Sequence, residues 1–418
     1  MTRRLGRDFR LLWAGQTISL AGDQVATLTI PSIAILVLHA AGWQVGLLTA
    51  IGYIAYPLLG PFAGVAADRY RRRRILITCD LVRLVVFATV AVVSATGRID
   101  YLSLCAAVAV TGVCGVYFDV AYQGYLPILV EDGGLLSGNA ALESSQAAAQ
   151  LAGPALGGFL LQWAGPGGAL AANAVSFAAS LTGLSFITTR EPVRHHRPPA
   201  LGAALRQGLG HVWHHPVLRH TTLAAAIRNL GMTMVRTALL LFAYRALRLS
   251  AAVTGTILAA GTAAALLGAV GARRLAARIG LSRTLRMSAG LEGATWALAP
   301  IALLGVPVPV LVCVAAVASM WLPIWNVNVL TLRQTLTPAH LQGRTHAAAR
   351  TITHCAVPVG ALTAGGMATI GTAVLGTRTG LAVVLSVSAA ISASAVWWLR
   401  APSISRLAHH PPLAERGP

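Results

Sequence analysis

The 418-residue chain is 56% hydrophobic and only 11% charged, far below the roughly 25% of charged residues usual in a soluble domain, so it is read as an integral membrane protein. Its formal net charge of +20 comes from arginine, since no lysine occurs. These arginines are spread through the gaps between apolar runs rather than gathered on one face, and a nucleic-acid partner is not expected. The five cysteines, Cys79, Cys105, Cys114, Cys313 and Cys355, all fall inside apolar runs and give no support to a disulfide framework.

The first apolar stretch, from Phe9 to His39, is too long for the core of a secretory signal and reads as an uncleaved first helix. A spanning helix needs about 20 mainly apolar residues. On that basis helices are expected near 10–38, 43–66, 74–96, 102–129, 138–163 and 168–188. After a polar linker at 189–216, six more are expected near 217–244, 251–271, 283–303, 308–332, 344–370 and 376–399. The fold class expected is therefore an all-α membrane protein of twelve transmembrane helices. Its divisions are an N-terminal six-helix half (1–188), a cytoplasmic linker (189–216), a C-terminal six-helix half (217–400) and a cytoplasmic tail (401–418).

Between the second and third expected helices, Gly64 to Arg74 reads Gly-Val-Ala-Ala-Asp-Arg-Tyr-Arg-Arg-Arg-Arg. So short and basic a turn belongs on the cytoplasmic face, because arginine is retained there during insertion. With both termini inside, only Arg98, Arg245, Arg248 and Arg378 fall in outer loops, and Arg83, Arg228 and Arg236 fall within helices. All other arginines are then cytoplasmic, and one missed helix would invert every later loop.

The linker holds Arg190, Arg194, Arg197 and Arg206 with His195, His196, Pro198 and Pro199. His211, His214 and His215 follow; His211 and His215 are one helical turn apart, but no carboxylate or cysteine stands near them. A solvated, weakly pH-sensitive linker is expected rather than a metal site. The halves look like copies: Arg10 and Gly22 recur as Arg219 and Gly231, and Gly64 recurs as Gly271, with Leu275 in place of Asp68.

In the fifth helix, Gly153-Pro154-Ala155-Leu156-Gly157-Gly158 puts small residues and a proline at mid-membrane. Close helix packing explains glycines at this spacing, while a proline that frees a carbonyl also makes a bend. The spacing Gly64-x-x-x-Asp68-Arg69-x-x-Arg72-Arg73 resembles the cytoplasmic signature of the major facilitator superfamily. Gly22-Asp23, Asp80-x-x-Arg83, Leu126-Pro127 with Asn139-Ala140, the Gly153–Gly158 run, Asn173-x-x-Ser176-Phe177 and Pro338 with Gly343-Arg344 together resemble its third drug:proton antiporter family. That family includes macrolide-efflux and enterobactin-exporter-like proteins. The resemblance implies alternating access, and export of an amphipathic small molecule against inward proton flow. It also implies an antiporter-type role for Gly153, Pro154, Gly157 and Gly158, and a latch at Asp68.

Acidic residues number twelve, so each one inside a helix needs a reason. Asp23 and Glu292 lie about 20 and 14 Å of helical rise from the cytoplasmic ends. Each is a candidate proton carrier, the alternative being a structural ion pair with an arginine. Asp80 and Arg83, three apart on one helical face, are expected to satisfy each other, and the lone His354 reads as structural. Asp119 and Glu143, placed near the cytoplasmic ends of their helices, are grouped with Gly64, Asp68, Arg69, Arg72 and Arg73 as a salt-bridged inner gate. Asp23, Arg228 and Arg236 are expected to line the substrate cavity. The expected partners are a small-molecule substrate, protons and the lipid bilayer of a bacterial plasma membrane, and the expected state is a monomer. No cofactor, metal or enzymatic activity is expected. A lysolipid carrier, proton-driven uptake, a receptor and a membrane enzyme are the competing classes.

Overall fold

The computed structural model describes residues 6–130, 134–189, 191, 201–338 and 341–405. Arg190, Arg194, His195, His196, Arg197, Pro198 and Pro199 of the expected linker, and the tail from 406 onward, lie outside the described residues. Among the described residues the chain is helical and contains no strand. The helices are α1 (Arg7–Leu36), α2 (Gly42–Arg69), α3 (Arg72–Ala95), α4 (Tyr101–Leu129), α5 (Leu135–Trp163), α6 (Gly165–Ser185), α7 (Leu201–His214), α8 (Pro216–Leu241), α9 (Ala251–Ile279), α10 (Leu281–Trp296), α11 (Pro307–Leu336), α12 (Gln342–Leu375), α13 (Thr377–Trp398) and the short α14 (Pro402–Ser405). A π-helical turn, Phe242–Ala246, extends α8, and a 3-10 turn, Ala299–Leu304, follows α10.

Ten of these segments are long and apolar enough to cross a membrane, and α2 makes an eleventh as the bent pair Gly42–Gly60 and Phe62–Arg69. The twelfth expected span, α5, has the length at 29 residues, but Ser137, Asn139, Glu143, Ser144, Ser145, Gln146 and Gln150 make its first half polar. The chain is a multi-pass membrane protein of the all-α class.

Helix ends differ from expectation where arginine is concerned. The basic run at Gly271–Gly280 is not a turn: α9 continues through Arg273, Arg274 and Arg278 and stops at Gly280, whose φ is +83°. Cations favour the last turn of a helix, and glycine takes the positive φ that ends it without strain. In the Gly64–Arg74 stretch the non-helical break is likewise confined to Tyr70 and Arg71. The second part of the linker is a helix rather than coil. In α7, Val212 is buried against Ala348 and Ala349 of α12, while Leu209 and Trp213 are exposed.

The chain divides into two compact units. Unit 1 comprises Met1–Ala40, Ile51–Pro198 and Leu249–Ala259; unit 2 comprises Ala41–Ala50, Pro199–Arg248 and Ala260–Pro418. In unit 1, α1 packs on α5 and α6, and α3 packs on α4 and α6; in unit 2, α8 packs on α12 and α13, and α10 packs on α11 and α13. Each pairing in one unit thus has its counterpart in the other. Phe9, Leu12, Leu76, Phe118 and Tyr125 form the core of unit 1; Ala224, Leu285, Ala289, Trp325 and Leu399 form that of unit 2.

Of the recurring glycines, Gly22 and Gly231 mark close approaches between helices. A Cβ on Gly22 would strike Asn173 and Ser176 of α6, and one on Gly231 would strike the Ser392 backbone of α13. A β-branched residue at Gly231 must push α8 away from α13, so Gly231→Val is expected to lower the unfolding free energy of the purified protein by about 1–3 kcal/mol. A thermal melt checks this, and an unchanged midpoint would contradict the packing described.

The start of α8 adds a pH-dependent element. His215 is its N-cap: Nδ1 accepts the Leu218 amide at 3.4 Å, which it does only when unprotonated. Burial, with the nearby His211, holds the His215 pKa below the ordinary histidine value of 6.5. A depressed folded-state pKa means that this cap is fully present above the unfolded-state value and is lost as pH falls through the folded-state one. The melting temperature is therefore expected to fall as pH drops below about 6.5, and His215→Asn, which caps without titrating, to flatten that part of the profile.

Candidate functional site

In unit 1 the charged centre is built on Arg83 of α3, which is only 6% exposed. Its guanidinium carbon lies 5.1 Å from the Phe118 ring centroid and 5.4 Å from that of Phe177, a cation–π arrangement from α4 and α6. Asp80, fully buried, stands one helical turn before it, with Oδ1 3.9 Å from Nη1. That distance is an ion pair without a direct hydrogen bond. Asp23 of α1 and Asp119 of α4 also lie in electrostatic range of Arg83, and Asp119 accepts a short hydrogen bond from the Tyr56 hydroxyl of α2. One guanidinium thus has three carboxylates within electrostatic range.

Unit 2 holds the converse arrangement. Arg228 of α8 donates from Nε to Glu292 Oε2 at 2.5 Å, Nη2 stands equally close to the same oxygen, and both residues are 2% exposed. The Trp325 ring of α11 lies 5.5 Å from the guanidinium. Arg236, two turns further along α8, is exposed and in electrostatic range of Glu292. Between residues 199 and 405 Glu292 is the sole acidic residue of the sequence. It lies eleven residues after the first residue of α10, just as Arg83 does in α3. The base on one helix and the acid on its counterpart have exchanged places.

The residues grouped as an inner gate are not brought together within unit 1. Asp68 and Arg69 are exposed, and the Arg69 guanidinium lies over Tyr70. Arg72 donates to the Gly124 carbonyl of α4, while Arg73 donates to the carbonyls of Leu184 at 2.9 Å and Ser185 at 2.7 Å in α6. Glu143 is exposed; Asp119 turns to Tyr56 and the Arg83 centre. A Cβ on Gly64 would meet nothing.

The motif glycines of α5 are contact points: Gly153 meets Gln24 of α1, Gly157 meets the Val25 carbonyl, and Gly158 meets the backbone of Ala251 and Ala252. α5 runs unbroken through Pro154. His354 of α12 bonds to the Arg350 carbonyl of its own helix at 2.9 Å. His211 and His215 stand with ring centroids 6.3 Å apart, and no group of three or more metal-binding side chains occurs among the described residues. Three further polar residues that sequence reasoning had not singled out hold structure: Tyr56 on Asp119, Asp8 on the Thr188 and Thr189 amides at 3.0 and 2.7 Å, and Glu191 on the Arg72 and Arg73 amides at 2.8 and 2.7 Å. For the two carboxylates the available signal was their position beside helix ends.

The sequence profile of the Major Facilitator Superfamily matches residues 12–361. The chain belongs to this superfamily. Among its relatives is the multidrug efflux pump Tap of Mycolicibacterium fortuitum, 25% identical over 371 residues, covering 86% of this chain and 88% of that one. Tap of Mycobacterium tuberculosis (strain ATCC 25618 / H37Rv) is 26% identical over 372 residues, 86% of each chain. The lysophospholipid transporter LplT of Photorhabdus laumondii matches over a shorter stretch, 30% identical over 121 residues, or 29% of this chain and 28% of that one. Among solved structures, a bacterial homologue of the iron transporter ferroportin in its inward-facing state has a TM-score of 0.72 at 20% identity, covering 96% of this chain and all of that one. The nucleoside transporter NupG has a TM-score of 0.71 at 11% identity, covering 94% of this chain and 98% of that one. At these identities the structures speak to the fold alone. The family and the fold are those of transporters.

The Arg228–Glu292 pair generates a stability prediction. Glu292→Gln leaves a buried guanidinium without its counter-charge and is expected to destabilise the protein by about 3–5 kcal/mol, read by thermal or denaturant unfolding in detergent. The double substitution Arg228→Met with Glu292→Leu is expected to recover most of that loss. A single variant as stable as the wild type would mean that the pair does not hold α8 on α10.

Proposed function

We propose that the protein exports an amphipathic small molecule, of the drug, antibiotic or siderophore kind, across a bacterial plasma membrane in exchange for protons. The observation that carries this reading is the unit 1 centre, where Asp23, Asp80 and Asp119 share the single guanidinium of Arg83. Such a centre can take up a proton while leaving Arg83 a partner. Asp23 is the proton carrier in this reading, with Asp119 and its Tyr56 hydroxyl as the adjoining relay. Glu292 is bonded directly to Arg228, so its role here is to hold α8 on α10 rather than to carry protons. Arg236 is the group offered to the substrate, and favours a molecule with an anionic or strongly hydrogen-bonding part. The match to two Tap efflux pumps over 86% of the chain supports the efflux direction.

The protein works as a monomer by alternating access, with both termini cytoplasmic, as the arginine distribution favours. Asp68 latches one state. A second reading, carriage of a lysolipid, is favoured by the short match to LplT, and a long-chain amphiphile in the substrate set tests it.

The test is a substrate screen in inverted vesicles with an imposed pH gradient. The wild type is expected to accumulate substrate when the lumen is acid. Asp23→Asn is expected to abolish gradient-driven accumulation while leaving binding and exchange in place, and Arg236→Gln to weaken an anionic substrate more than a neutral one. Gradient dependence unchanged in Asp23→Asn would overturn the coupling role.

A further inference from the structure

A cavity of about 810 Å³ lies where α3 begins and α6 ends in unit 1, walled by Arg71, Arg73, Arg74, Ile77, Ile187 and Glu191. Its frame is built without Arg71 or Arg74. Asp8 of α1 holds the amides of Thr188 and Thr189, and Arg73 is spent on the carbonyls that end α6. Both Glu191 carboxylate oxygens accept the first amides of α3, so the helix N-terminus is already occupied. Arg71 and Arg74 are exposed, and their guanidinium groups have no partner among the described residues. Two positive charges therefore stand at a walled cavity with no structural task among the described residues.

The surroundings specify the ligand. Ile77 and Ile187 give the cavity an apolar side, and Tyr70 beside it is 60% exposed, as aromatic residues are where spanning helices leave the hydrocarbon. Arginine pairs with phosphate through parallel hydrogen bonds, and anionic lipids gather at basic segments next to spans. We propose that this cavity binds the phosphate group of an anionic glycerophospholipid, with Arg71 and Arg74 holding the phosphate and Ile77 meeting the glycerol and upper acyl chain. The site belongs to unit 1 and does not depend on what the protein transports.

Native mass spectrometry of the full-length, detergent-purified protein tests this with phosphatidylglycerol, phosphatidylcholine and soluble glycerol 3-phosphate as probes. Phosphatidylglycerol is expected to be retained over phosphatidylcholine. Arg71→Gln with Arg74→Gln should weaken it about 25-fold, roughly fivefold for each arginine. Arg273→Gln with Arg274→Gln removes the same charge from the exposed end of α9 and should leave retention unchanged. If the first double variant does not elute as a single species, Arg74→Gln alone should show the roughly fivefold loss. Equal loss in both double variants would reduce the effect to general surface charge and overturn the site. Binding of glycerol 3-phosphate as tight as that of the lipid would overturn the lipid assignment in favour of a soluble phosphate.

Discussion

A guanidinium inside a membrane span costs roughly 2.5–3.5 kcal/mol even on insertion scales, and each unit of this protein contains one that is almost wholly buried. The packing around it follows from the need to balance that charge without water. Arg83 is balanced by two aromatic faces, from α4 and α6, and by carboxylates on α1, α3 and α4 that do not bond it directly. Arg228 is balanced by direct contact with one carboxylate and by one aromatic face. Apart from Asp80, which shares α3 with Arg83, the groups that neutralise the charge come from neighbouring helices, so the charge helps fix which helix faces meet.

Small residues make those meetings possible. A Cβ on Gly115 of α4 would stand 3.0 Å from the Arg83 Nη2 atom, and one on Gly293, next to Glu292, would press on the Ala389 carbonyl and the Ala393 amide of α13. Without a hydrophobic driving force between helices in lipid, van der Waals contact of this kind is a main source of cohesion. The glycines of the α5 run belong to the same class. All three make close contacts, and the helix passes Pro154 unbroken.

The helices were legible because hydropathy is a property of each segment taken alone, and a span of about 20 residues averages over many side chains. The recurrence of Gly22 at Gly231 could be read because a glycine at a close approach tolerates no other residue. Helix ends were less legible: apolarity stops at the first arginine of the Gly271–Gly280 run, whereas the backbone continues to Ile279, because arginine suits the C-terminal turn. Partner choice was the least legible. Depth along a helix placed Asp119 with the basic turn, but its side chain bonds Tyr56 of a helix far away in sequence. Nothing in spacing could decide between Arg228 and Arg236 for Glu292, since both lie on one helix and only the α8–α10 contact brings one of them to 2.5 Å.

The exchange of charge between the repeats changes how each buried centre is balanced. Arg83 and Glu292 hold the same position in α3 and α10, and an aromatic ring of the following helix, Phe118 or Trp325, stands over the guanidinium in each unit. The scaffold is duplicated, but the sign of the group on it is not. Protonating one carboxylate of the unit 1 centre leaves Arg83 with others in range. Protonating Glu292 instead breaks a 2.5 Å contact and leaves Arg228 buried in a stretch with no other acidic residue, the costly case of a buried charge without its partner. The same scaffold therefore balances its buried arginine with a surplus of carboxylates in one unit and with a single bonded carboxylate in the other.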